Sequence, residues 1–155
     1  MRMVRRSQKF EEMVRQLTET PHSTVGRPIF PTIRELMCFA AVLGYEHNRR
    51  KSLQPKYLEI DSRPFERSET TTDLIYLLAL ASARDVDVLR DDESDQLVSI
   101  FEEYAEGGFE ILEGWLREKP EDTNGDRAIL SALAKYGYLT TWGDTEISIG
   151  DISFA

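Results

Sequence analysis

Apolar residues recur at helical spacing along most of the chain. Phe10, Met13, Val14 and Leu17 fall at i, i+3, i+4 and i+7, one face of an amphipathic helix expected over residues 1–20. Thr20-Pro21-His22-Ser23 stops it, because a proline disfavours helix in the residue before it. Thr32 and Glu35 have the spacing of a capping box and announce a second helix. Its apolar set, Ile33, Leu36, Met37, Ala40, Ala41 and Leu43, covers more than one face, which predicts a central position, with Gly44 as terminator. Residues 45–68 are long for a plain connection, and Tyr57–Ile60 reads as a short strand or a turn of helix within them.

A third helix opens near Thr70–Asp73. Leu74, Ile75, Leu77, Leu78, Leu80 and Ala81 make it apolar nearly all round, so it is expected to be the most buried element. Asp91, Asp92, Glu93 and Asp95 suit the positive end of the next helix. That helix carries Leu97, Ile100, Phe101, Tyr104 and Ala105. Gly107-Gly108, at a combined helix-propensity cost of roughly 2 kcal/mol, then predict a kink or break before Phe109, Ile111, Leu112, Trp115 and Leu116. A last helix holds Ala128, Ile129, Ala132, Leu133 and Tyr136 and ends at Gly137. Alternation in Ile147-Ser148-Ile149 beyond Gly143-Asp144 predicts a hairpin tail over residues 138–155. The expected fold is mainly α: a compact bundle of about five helices in one domain, with a small β-hairpin at the C-terminus. A chain of 155 residues suffices for a real core, burying roughly 70% of its unfolded surface.

Charge changes this picture. The net charge of −9 hides a split: residues 1–67 hold thirteen Lys/Arg against eight Asp/Glu, and the remainder holds six against twenty. Either the two sets form separate surfaces, or they interleave in space and solvate the helices. No apolar stretch approaches the ~20 residues of a membrane span, and no apolar segment follows Arg2, Arg5 and Arg6 as in a signal peptide, so a cytoplasmic location is expected.

Candidate chemistry is sparse. One cysteine and two histidines, His22 and His47, cannot build a four-ligand structural zinc site, and Cys38 sits in an apolar run that disfavours a thiolate. Asp122-Thr-Asn124-Gly-Asp126 begins like a calcium loop but has Arg127 where glycine is needed and Leu133 where a bidentate Glu is needed, so it reads as an acidic loop and cap. No phosphate-binding glycine loop or nucleophile elbow is present. The expectation is a protein without catalytic residues, metal or cofactor. Two binding sets remain. Arg5, Arg6, Lys9, Arg49, Arg50, Lys51 and Lys56 could contact nucleic-acid phosphates. Asp91, Asp92, Glu93, Asp95, Glu102 and Glu103 could face a basic partner protein.

Three stretches carry a family resemblance: residues 28–51 (Pro-Ile-Phe-Pro-Thr-Ile-Arg-Glu-Leu-Met through Asn-Arg-Arg-Lys), 73–81 and 100–116 with the double glycine. Together they span most of 28–118 and resemble the DNA phosphorothioation (Dnd) system-associated protein 4 family. The resemblance implies an accessory component of a bacterial or archaeal defence system that replaces a non-bridging phosphate oxygen of DNA with sulfur. It implies partners among the other proteins of that system and brings no catalytic residues. An adaptor binding those partners is the first expectation; a DNA-binding or regulatory module using the basic half is the alternative.

Overall fold

Thr32 caps the helix against which much of the molecule is assembled. In the computed structural model, which describes residues 1–90 and 94–139, its Oγ1 accepts a hydrogen bond from the Glu35 N–H at 3.2 Å. Helix α2 (Ile33–Glu46) follows, after α1 (Glu11–Glu19), whose Met13, Val14 and Leu17 are buried as their spacing predicts. Gly44 does not end α2. The helix runs on to Glu46, and Asn48 turns the chain in a left-handed conformation (φ 53°).

The long partner of α2 is α5 (Ser94–Arg117), 24 residues without a break at Gly107-Gly108. The expected kink is absent because the glycines serve tertiary packing. A Cβ on Gly108 would lie 1.7 Å from the Ala40 carbonyl oxygen, and one on Gly44 would lie 2.1 Å from that of Tyr104. The two helices therefore run antiparallel and meet main chain to main chain. Contacts made at that range recover what two glycines lose in helix propensity.

The first residues are not helical, as was expected over 1–20. Strand β1 (Val4–Ser7) pairs antiparallel with β2 (Tyr57–Ile60), Val4 opposite Ile60 and Ser7 opposite Tyr57, and a 3-10 turn at Gln8–Phe10 leads into α1. Of the strand or turn of helix expected at Tyr57–Ile60, the structure has the strand, and the described sheet joins the N-terminus to the middle of the chain. The hairpin expected over 138–155 lies, from residue 140 on, outside the described residues.

A short α3 (Arg63–Glu66) precedes α4 (Glu69–Ala83), capped by Ser68, whose Oγ accepts the Thr71 N–H at 3.2 Å. Arg34 of α2 donates to Ser68 Oγ and Thr71 Oγ1 at 3.0 and 2.9 Å, so α2 and α4 start side by side. Contrary to expectation, α4 is not the most buried element. It buries Thr71, Ile75, Leu78 and Ala79, while Tyr76 and Leu77 face solvent; the deepest helix is α5, with thirteen buried residues. Cys38 is half-buried beside Thr71, and burial raises its thiol pKa.

Helix α6 (Asp126–Lys135) ends before Gly137 (φ +77°), as the pattern predicts. The calcium-loop lookalike acts as a clasp. Asp122 accepts the Ala128 N–H at 2.9 Å, Asn124 donates to the Pro21 carbonyl at 3.0 Å, and His22 Nε2 lies 3.0 Å from Asp126. These bonds tie the start of α6 to the α1–α2 connection.

Candidate functional site

Ser99, Glu102, Glu106 and Glu110 recur every three or four residues along α5, with Glu103 beside Glu102, which places them on one side of the helix. The basic first half of the chain lies along this stripe. Arg2 grips Glu102 with both terminal nitrogens (2.8 and 2.7 Å) and reaches Ser99 Oγ at 2.9 Å, while the Arg5 N–H also donates to Glu102. Ser7 Oγ donates to Glu106 Oε1 at 2.7 Å. Lys9 Nζ lies 3.5 Å from Glu106 and 3.8 Å from Glu110. Arg50 Nε is 2.6 Å from Glu103, and Arg49 and Lys51 each stand 3.9 Å from Glu110. The two charge sets thus interleave along α5. Glu102 and Glu106 are 4% and 2% exposed, and partners of opposite charge are what make such burial tolerable.

The structure places the predicted site residues as follows. Arg6 is 5% exposed and bound to Glu11, Glu102 is 4% exposed and bound to Arg2, and Glu103 is paired with Arg50. Arg5 lies over the Tyr57 ring at 4.6 Å and pairs with Glu59 at 3.4 Å. Lys9, Arg49, Arg50, Lys51 and Lys56 are exposed, as is Asp95. Asp91, Asp92 and Glu93 lie outside the described residues. Arg2, Ser7, Glu106 and Glu110 belong to the seam but were not singled out from sequence. Their signal was the run Glu102, Glu106, Glu110 at four-residue spacing down a helix whose other positions are mostly apolar.

Two open clefts flank segment 52–57. One, about 360 Å³, is walled by Arg2, Arg5, Tyr57, Ser99, Glu102 and Glu103; the other, about 300 Å³, by Ser7, Lys9, Gln54 and Lys56. Among the described residues no group of three or more His, Cys, Asp or Glu is placed to hold a metal ion.

The Arg6 hydrogen bond holds the Glu11 carboxyl below its ordinary value of 4.5, with Arg15 adding to the effect. A lowered native pKa stabilises the fold above the unfolded-state value and loses that contribution as pH falls through the native one. The stability gap between the wild type and Glu11→Gln should therefore be steady near neutral pH and shrink below about pH 4.5, as read from urea midpoints across a pH series. A gap that widens on acidification would contradict the pairing.

A family model for DNA sulphur modification system-associated protein 4 matches residues 3–140. The chain belongs to this family. No curated protein and no solved structure matches it. The family match takes in β1, α1 to α6 and every residue of the charged seam but Arg2, so nearly all of the seam lies inside the region that defines this sulphur modification-associated protein.

Within this family member a second surface stands apart from the seam. From Leu74 to Ala83 α4 has no charged residue, yet Tyr76 and Leu77 (62%) are exposed, as are Val86 (70%) and Leu89 on the 3-10 turn Val86–Leu89. No helix among the described residues is long and apolar enough to cross a membrane, so a bilayer-spanning helix does not account for this face.

Proposed function

We propose that this protein is a non-catalytic adaptor of its DNA sulphur modification system, docking on another protein of that system through the outer face of α4 and the turn after it. The observation that carries the reading is the exposed run Tyr76, Leu77, Val86 and Leu89. Exposed large apolar side chains mark interaction sites where they join in one patch. Arg84, Asp85, Asp87 and Arg90 supply the charged rim that surrounds an apolar centre in such interfaces. The partner this surface fits is one that offers an apolar helix or groove, with anchors that fill the space beside Leu77. The acids of α5 support the same reading from the other side, since Glu102, Glu103 and Glu106 are engaged in holding β1 and residues 49–51 in place. The role would be exercised in the cytoplasm, within a defence system that marks DNA with sulfur.

The test is copurification with the proteins encoded beside it. Leu77→Asp combined with Val86→Asp should abolish partner capture while leaving the unfolding free energy from urea denaturation within about 0.5 kcal/mol of wild type, because both positions are exposed. Undiminished capture by the double variant would remove α4 as the docking face.

A further inference from the structure

We propose that Lys9, Arg49 and Lys51 form a binding site for the phosphate backbone of double-stranded DNA, with Glu110 as its built-in counter-ion. The three cations converge on one carboxylate. Lys9 Nζ lies 3.8 Å from Glu110 Oε1, and Arg49 Nη1 and Lys51 Nζ each lie 3.9 Å from Oε2. All three side chains are about half exposed, with Arg49 and Lys51 at 53%. Three positive charges therefore share one solvent-facing acid. The second acid near Lys9 is Glu106, buried and already accepting from Ser7.

The distances separate these pairs from the rest of the seam. Arg2–Glu102 and Arg50–Glu103 close to 2.7 and 2.6 Å, the range of charge-assisted hydrogen bonds. The contacts at Glu110 are longer and exposed, and pairs of that kind hold their side chains weakly. Lys9, Arg49 and Lys51 can thus turn from Glu110 to a phosphate without dismantling the fold.

Their main chain is fixed. The Arg49 N–H donates to the Gly44 carbonyl at 2.7 Å and the Lys51 N–H to the Glu103 carbonyl at 3.0 Å. Gly107 lets this segment lie directly on α5, since a Cβ there would fall 2.0 Å from the Arg49 carbonyl oxygen. The cations are presented from a preset backbone and meet within reach of neighbouring phosphates on one strand, which limits the ordering cost of binding. Lys9 also walls the cleft that holds exposed Lys56 and Gln54, extending the row of donors.

Several features favour a nucleic-acid backbone over an acidic protein. Lys9, Arg49, Lys51, Lys56 and Gln54 offer cations and an amide with no apolar side chain among them, whereas a protein interface is anchored by large buried side chains in apolar pockets. The family is associated with DNA sulphur modification. The overall charge of −9 opposes long-range attraction, so binding is expected to be short-ranged and steeply salt-dependent. The inference is independent of the α4 docking face, which none of these residues touches.

Fluorescence anisotropy of the full chain with a labelled duplex, plain and sulfur-substituted, at low salt provides the test. Changing Lys9, Arg49 and Lys51 together to alanine should abolish binding, and each single change should lower the salt slope by about one. Glu110→Gln should tighten binding about two- to fivefold, the range for releasing an exposed ion pair. Glu118→Gln, an equal charge change at an exposed position just beyond α5, should have less effect. The proposal fails if the wild type binds neither duplex at low salt, if the triple variant still binds, or if Glu110→Gln and Glu118→Gln behave alike. Binding of single-stranded RNA or of an acidic protein without duplex binding overturns it too.

Discussion

Replacing Gly108 with alanine is expected to lower the free energy of unfolding by more than about 3 kcal/mol, the upper end of overpacking costs. The added methyl would sit 1.7 Å from the Ala40 carbonyl oxygen, and both clashing groups belong to the main chain of long helices. Neither can rotate away, so α2 and α5 must separate along their contact. The apolar residues at that interface, among them Leu36, Met37, Ala40, Phe101, Ala105 and Phe109, would lose packing together. Gly114 on the same helix gives the contrast. Nothing lies within 4 Å of a Cβ there, and alanine should stabilise the protein by roughly 0.5–1 kcal/mol through helix propensity. Gly107→Ala should fall between these, because the Arg49 carbonyl it meets at 2.0 Å lies in a connecting segment held by two main-chain hydrogen bonds rather than inside a long helix. Urea denaturation of the three variants would order them. Equal midpoints for Gly108→Ala and Gly114→Ala would show that the close approach of α2 and α5 is not made in solution.

These glycines also explain where the sequence was legible and where it was not. Features that depend on neighbouring residues were readable: the Thr32 cap, the stripe Phe10, Met13, Val14 and Leu17, a short element at Tyr57–Ile60 left open between strand and helical turn, and the stop at Gly137. Features that depend on a distant partner were not. Gly107-Gly108 reads locally as a helix breaker, and only the backbone of α2 across the interface turns it into a contact surface. Val4–Ser7 carries two arginines and no clear alternation, and its pairing strand lies some fifty residues away. Helix α4 misleads for another reason. Its all-round apolar sequence implies full burial, yet the fold covers one side, while α5 buries two glutamates because β1 brings a serine and charged groups to meet them. The basic residues of the candidate site were visible as a cluster in sequence. Glu110, which gathers three of them, was not, because charge counts carry no information about which acid faces which base.

Glu102→Ala is expected to cost about 2–3 kcal/mol and to loosen the N-terminal strand before the helices. With Glu106, which accepts from Ser7, the Glu102 carboxylate fixes β1 and the residues before it to α5: it takes two hydrogen bonds from Arg2 and one from the Arg5 main chain. Removing one partner of a buried ion pair costs about 3–5 kcal/mol, and Arg2 retains some access to water, which lowers the figure here. The Glu102 hydrogen bond raises the Arg2 pKa, and a guanidinium is charged at neutral pH without any partner, so the alanine variant leaves Arg2 charged and unpaired from Glu102. Glu102→Gln separates the causes, since it keeps the volume and one acceptor while removing the charge; it should fall between wild type and the alanine variant. Two measurements decide the matter. Urea midpoints of Glu102→Ala, Arg2→Ala and the double variant should be non-additive, the double costing less than the sum, as expected for groups in direct contact. Amide exchange should quicken at Val4–Ser7 and Tyr57–Ile60 while the α2–α5 contact stays protected, because the strand pair can detach locally. Additive losses, or uniform exchange across sheet and helices, would mean that Glu102 supports the fold as a whole and that the seam is not the hinge between the N-terminal strand and α5.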